Sequence, residues 1–121
     1  DNVVTHAVGQ ASVSIAKNLK AAAIIIQTES GFSTRLVSKY RTDCPIMAFT
    51  TSQRVARKLS MNWGVIPALY EGKPNDDARI EFAIEKIKQM TNAGSGDILI
   101  VTAGHHQHGT GGTDMVRIIT L

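Results

Sequence analysis

Short, apolar, β-branched runs alternate along this chain with helix-length amphipathic segments, and that alternation excludes most folds. Ala21 to Ile26, AAAIII, is continuously apolar, as expected of a strand covered on both faces. Ile46 to Phe49, Gly64 to Leu69 and Ile98 to Thr102 read as further strands, and Met115 to Thr120 as a short fifth. Before the first run, Val4, Val8, Ala11, Ile15 and Leu19 recur at three or four positions, which puts them on one face of a helix over Asn2 to Leu19. Leu36, Val37 and Tyr40 place an apolar stripe on a second helix that begins near Phe32 or Ser33 and is broken by Thr42-Asp43-Cys44-Pro45. Thr51 or Ser52 caps a third helix through Leu59. The fourth follows Lys73-Pro74-Asn75 and starts at Asp76-Asp77, where the macrodipole favours carboxylates. It runs to about Met90 with Ile80, Ala83, Ile84 and Ile87 on its buried side, ahead of a turn at Gly94-Ser95-Gly96-Asp97. Such alternation predicts α/β units around a mostly parallel sheet. The last two strands are joined only by AGHHQHGTGGTD, and a parallel pair needs a crossover helix. The fifth strand is therefore expected to be antiparallel or at an edge.

With 121 residues and 43% hydrophobic content, the chain fits one compact domain, 1–121, with a real core. A formal charge of +3, on Lys and Arg residues that are scattered, suits small anionic ligands at least as well as nucleic acid. Aromatic residues make up 5%, too few for the stacking platforms of single-strand binders, so no nucleic-acid partner is expected. The single cysteine, Cys44, excludes an intramolecular disulfide, fits a reducing compartment and reads as an inert packed residue. The longest apolar run falls far short of the roughly 20 residues that span a bilayer, so no membrane partner is expected. No charged leader precedes an apolar signal segment, and a cytoplasmic protein is the default. The chain opens at Asp1, as a domain cut from a longer polypeptide would.

TESGFSTR, Thr28 to Arg35, packs hydroxyls between an apolar run and an amphipathic one. Two readings fit. A hydroxyl-rich, glycine-containing turn that leads from a strand into a helix presents backbone N–H groups and a positive dipole end to a phosphate. Ser and Thr are also ordinary helix N-caps. In an open α/β sheet, ligands bind outside the carboxyl ends of the strands. Both polar, glycine-bearing loops, Thr28 to Ser33 and Gly104 to Thr113, lie at that end. GTGG in the second is not a dinucleotide fingerprint, because a strand follows it and a fingerprint loop must open a helix. His105, His106 and His108 lack a nearby Cys or a regular spacing, so no metal site is assigned to them. If they meet a phosphoryl group instead, binding weakens as pH rises through about 6 to 7. Ser30 and Ser33 have no base and orienter readable in the sequence, and Glu29, Asp76 and Asp77 read as loop and cap residues. No catalytic residue is assigned.

The series VVTHAV, AAAIIIQTESGFSTRLVSKYR, CPIMAFT, RVARKLSMNWGVIPAL, GDILIVTAG and GTDMVRIITL closely resembles, in the same order and over essentially the whole chain, the C-terminal domain of pyruvate kinase. The resemblance implies a three-layer α/β/α domain with a five-stranded mixed sheet whose last strand is antiparallel. It implies a parent enzyme that transfers a phosphoryl group from phosphoenolpyruvate to ADP in glycolysis. That chemistry, with its magnesium or manganese and its potassium, belongs to the family's barrel domain, so these residues alone are expected to be catalytically inert and to need no cofactor. In the family this domain helps build the homotetramer and carries an allosteric pocket for phosphorylated sugars or nucleotides. The effector phosphate loop matches Thr28, Ser30, Gly31, Ser33 and Thr34 here. Arg79 stands where the pocket's arginine is expected, and the loop with Gly109, Gly111, Gly112 and Thr113 matches its glycine loop.

Three departures bear on effector choice. No counterpart of the pocket's tryptophan is present, since Trp63 belongs to the WGV segment. Glu29 stands where strongly bisphosphate-activated members can carry a cation, and a carboxylate repels a second phosphate. HHQHGTGGT replaces the more usual VPxGxxGTT and adds three imidazoles. A monophosphate, such as a sugar phosphate or AMP, is thus at least as plausible as fructose 1,6-bisphosphate. Two other readings stay open: a domain kept for assembly only, and a free-standing phosphate-ligand-binding module.

Overall fold

A computed structural model describes residues 2–28, 32–40, 42–62, 64–69, 76–103 and 115–121. A strand covered on both faces must be apolar at every position. β1, Ala23–Gln27, meets this requirement over its first four residues, with Ala23, Ile24, Ile25 and Ile26 all 0% exposed, and ends at the half-buried Gln27. It lies at the middle of a sheet of order β3-β2-β1-β4-β5, formed with β2 (Ile46–Thr50), β3 (Val65–Leu69), β4 (Ile98–Ala103) and β5 (Met115–Thr120). β1 is parallel to both neighbours, with Ile24 opposite Ile46 on one side and Ile100 on the other. β3 is parallel to β2, and β5 runs antiparallel along β4 at the edge, Ile98 pairing with Thr120. The architecture is α/β with a mixed five-stranded sheet, as expected.

Alternation along each strand sorts the core by face. Ala23, Ile25, Met47, Phe49, Leu99 and Val101 pack with Ile80, Ala83 and Ile87 of α4, Asp76–Met90. Phe49 meets Phe82 of this helix edge to face, with centroids 5.7 Å apart. On the opposite face, Ile24, Ile26, Ile46 and Ile100 pack with Ala16 of α1, Asn2–Leu19, and Val37 of α2, Phe32–Lys39. Ala48, on that same face, packs with Val55 and Leu59 of α3, Gln53–Leu59. α3 is started by Ser52, whose Oγ accepts the Val55 N–H at 3.2 Å.

α1 departs from the expectation. The face its hydrophobic spacing picks out is not the buried one. Thr5, Gly9, Ser12 and Ala16 are buried, while Val4 is 46% and Leu19 41% exposed, Ala11 is exposed, and Val8 and Ile15 are half-buried. The buried set has the same helical period but small side chains, which let the helix backbone settle close to the sheet. Steric fit, more than hydropathy, decided which face went in. The Ser12 hydroxyl donates to the Val8 carbonyl at 2.8 Å, so its burial leaves no orphaned group. Tyr40 also lies outside the core, 40% exposed, where the sequence stripe pointed inward.

Two substitutions test this packing. Ser12→Leu overfills the α1 seam and should lower the unfolding free energy by about 1–3 kcal/mol in urea denaturation. Ser52→Ala removes the α3 cap and should lower it by about 1 kcal/mol.

Candidate functional site

The chain moves from β1 to β2 to β3 in one direction across the sheet and then returns to place β4 on the other side of β1. The point between β1 and β4 is therefore a topological switch, where two parallel neighbours send their connections opposite ways. In open α/β sheets, ligands bind at such a point, outside the carboxyl ends of the strands. The two polar loops singled out in the sequence leave from these two strands.

The β1 side is fixed by backbone. The Thr28 N–H donates to the Phe49 carbonyl at 2.8 Å, which carries the β1–β2 ladder one residue past the strand. Thr28 is buried, 6% exposed. Four residues later α2 begins at Phe32, with Ser33 and Thr34 in its first turn and no acidic residue there. Its first-turn N–H groups and positive dipole end thus sit at the carboxyl end of β1. Ser30 and Gly31, with Glu29, lie outside the described residues.

Thr34 is 0% and Thr102 1% exposed, and among the described residues neither Oγ1 has a hydrogen-bond partner. Thr102 is opposite Ile26 in the β1–β4 register, on the face that α1 and α2 cover. An unpartnered buried hydroxyl is costly. Sequence reading missed Thr102; the available signal was a hydroxyl ending the otherwise aliphatic run ILIV.

On the β4 side, Ala103 pairs with Met115, so both ends of the connection 104–114 are pinned at the carboxyl end of β4. His105, His106, His108, Gly109, Gly111, Gly112 and Thr113 lie within it, outside the described residues. Arg79 is in the first turn of α4, half-buried with its Nε shielded from solvent. α4 follows β3, so Arg79 is at the same end of the sheet as Thr28, on the opposite face from α2. Among the described residues, no group of three His, Cys, Asp or Glu could hold a metal ion, and no helix is long and apolar enough to cross a membrane.

Replacing Thr102 with Val should raise stability by about 1–3 kcal/mol in urea denaturation, because the orphaned hydroxyl disappears while the shape is kept. A loss of stability would show that the hydroxyl is bonded in solution.

The sequence matches the family model described as pyruvate kinase, alpha/beta domain, over residues 6–119. It is 36% identical over 115 residues to a pyruvate kinase of Sporosarcina psychrophila, and 36% over 115 residues to one of Staphylococcus aureus strain USA300. Each alignment covers 95% of this chain and 20% of the relative. The chain thus spans about a fifth of the length of the curated relatives it matches.

Proposed function

The chain belongs to the pyruvate kinase alpha/beta domain family, and from that premise we propose that it is the regulatory, effector-binding and tetramer-forming C-terminal domain of a pyruvate kinase. The parent enzyme transfers a phosphoryl group from phosphoenolpyruvate to ADP in the cytoplasm. The barrel domain carries that chemistry with magnesium or manganese and potassium, and 1–121, a single domain, is inert alone.

The observation that carries the effector reading is the topological switch between β1 and β4, with the amino terminus of α2 at the carboxyl end of β1. A phosphate seated there accepts from the first-turn N–H groups of α2 and from the hydroxyls of Thr28, Ser30 and Ser33, while Gly31 keeps the turn open to it. Thr34, fully buried, supports the cradle from beneath. Arg79, in the first turn of α4 at the same end of the sheet, matches the pocket's arginine, and the connection 104–114 carries His105, His106 and His108 with the glycines that match the family's loop. Glu29 disfavours a second phosphate, so the reading favours a monophosphate, a sugar phosphate or AMP.

The assembly reading is supported by apolar surface at the β5 edge. Met115 is 37% and Ile118 50% exposed, and β5 touches α1, whose Val3 and Val4 are 77% and 46% exposed. An edge strand beside an apolar helix stripe is a surface that a second copy of the chain can cover.

Calorimetric titration with ribose 5-phosphate, glucose 6-phosphate, AMP and fructose 1,6-bisphosphate tests the site. At least one monophosphate should bind, and Thr28→Ala with Ser30→Ala should weaken it by about 100-fold or more, since each hydroxyl bond to a charged phosphate contributes about 1.5–3 kcal/mol. Silence from every ligand would leave assembly alone as the function. Turnover of phosphoenolpyruvate by the 121-residue chain would refute its inertness.

A further inference from the structure

A cavity of about 240 Å³ opens at the amino ends of β1 and β2, the end of the sheet opposite the proposed phosphate site. It lies between the last turns of α1 and α2 and the turn that enters β2. Its volume is below the roughly 300–1,000 Å³ of drug-sized sites, so its occupant is a small molecule. We propose that this cavity binds a small organic monoanion, a short-chain carboxylate, with its aliphatic body against Val13, Ala16 and Cys44 and its carboxylate between Lys17 and Lys20. This site is independent of the phosphate site proposed above.

The charge pattern selects the ligand. Among the described residues, Lys17 and Lys20 line the cavity with a single carboxylate, Asp43, so these carry one net positive charge. A carboxylate balances that charge. A phosphate monoester, close to doubly charged at neutral pH, overshoots it. The polar neighbours fit the same ligand. The Thr42 hydroxyl is turned onto the Cys44 carbonyl at 2.6 Å, and the Tyr40 oxygen accepts from Gln10 Nε2 at 2.9 Å, a bond that leaves the phenolic proton for an acceptor.

Lys20 supplies the second, independent observation. α1 ends with the Ala21 N–H donating to the Ala16 carbonyl at 2.9 Å and the Lys20 N–H to that of Lys17 at 3.3 Å. This is the Schellman pattern, whose left-handed position is normally glycine. Lys20 occupies it at φ +53°, and among the described residues it is the sole non-glycine at positive φ. Lys17 already places a cation in the last turn to complement the helix dipole. A side chain that carries local strain where glycine would relieve it points to a use for that side chain. Lys20 lines the cavity beside Lys17.

Cys44 makes the site readable. It is half-buried in the cavity wall, and desolvation raises its thiol above the ordinary value, against the lowering effect of its Thr42 contact, so it stays protonated and serves as apolar lining. The rate of Cys44 alkylation by iodoacetamide, followed by peptide mass spectrometry, should fall by about fivefold or more at saturating butyrate, because access controls thiol reactivity. Butanol and butylammonium, matched in shape, should not protect. Lys17→Met should abolish the butyrate effect. Lys20→Gly should abolish it too while leaving the melting temperature unchanged or higher, since glycine suits the left-handed position. Equal protection by butyrate and butanol, protection that persists in Lys20→Gly, or no protection at any butyrate concentration would each overturn the proposal.

Discussion

The fold depends on the burial of β1 on all four sides. Its two edges are hydrogen-bonded to β2 and β4, and its two faces are covered by α4 on one side and by α1 and α2 on the other. A strand so enclosed has no polar position before Gln27 at its carboxyl end, so its chemistry is displaced to its ends and the residues just beyond them. Thr28 and the α2 amino terminus occupy one end. The close of α1 and Ala21 occupy the other. Both sites considered above are consequences of this enclosure.

The two ends differ electrostatically because of helix direction. At the carboxyl end, α2 begins, and its first-turn N–H groups and positive dipole end favour an anion. At the amino end, α1 and α2 finish, and their carbonyls oppose an anion. Lysines must supply the charge there, and the last turns carry Lys17 and Lys39, with Lys20 just beyond. The proposals of a phosphate at one end and a singly charged carboxylate at the other rest on the different strengths of these two devices.

Much of this was legible in the sequence because burial on both faces leaves a run such as AAAIII with no other use. The antiparallel edge strand was legible for a related reason, the absence of a helix between Ala103 and Met115. The buried face of α1 was not. Its apolar residues and its small residues share one helical period, and the choice between them rests on how closely a backbone can approach the sheet, which hydropathy does not encode. The loops of the phosphate site could be assigned to the carboxyl end, yet the adjacency of β1 and β4, the strands they follow, is a matter of strand order. The amino-end cavity left a fainter trace. A lysine stands where a helix-ending glycine is usual, and its meaning appears only once φ at Lys20 is known.

Amide NMR during titration with ribose 5-phosphate, glucose 6-phosphate and AMP tests most directly whether an anionic effector binds at the carboxyl ends of β1 and β4. At least one of them should produce saturable shifts confined to residues 28–34 and to the strand ends around Ala103 and Met115, with Lys17 and Lys20 unmoved. Shifts centred on the amino end of the sheet, or none at the start of α2 with any of the three, would contradict the account.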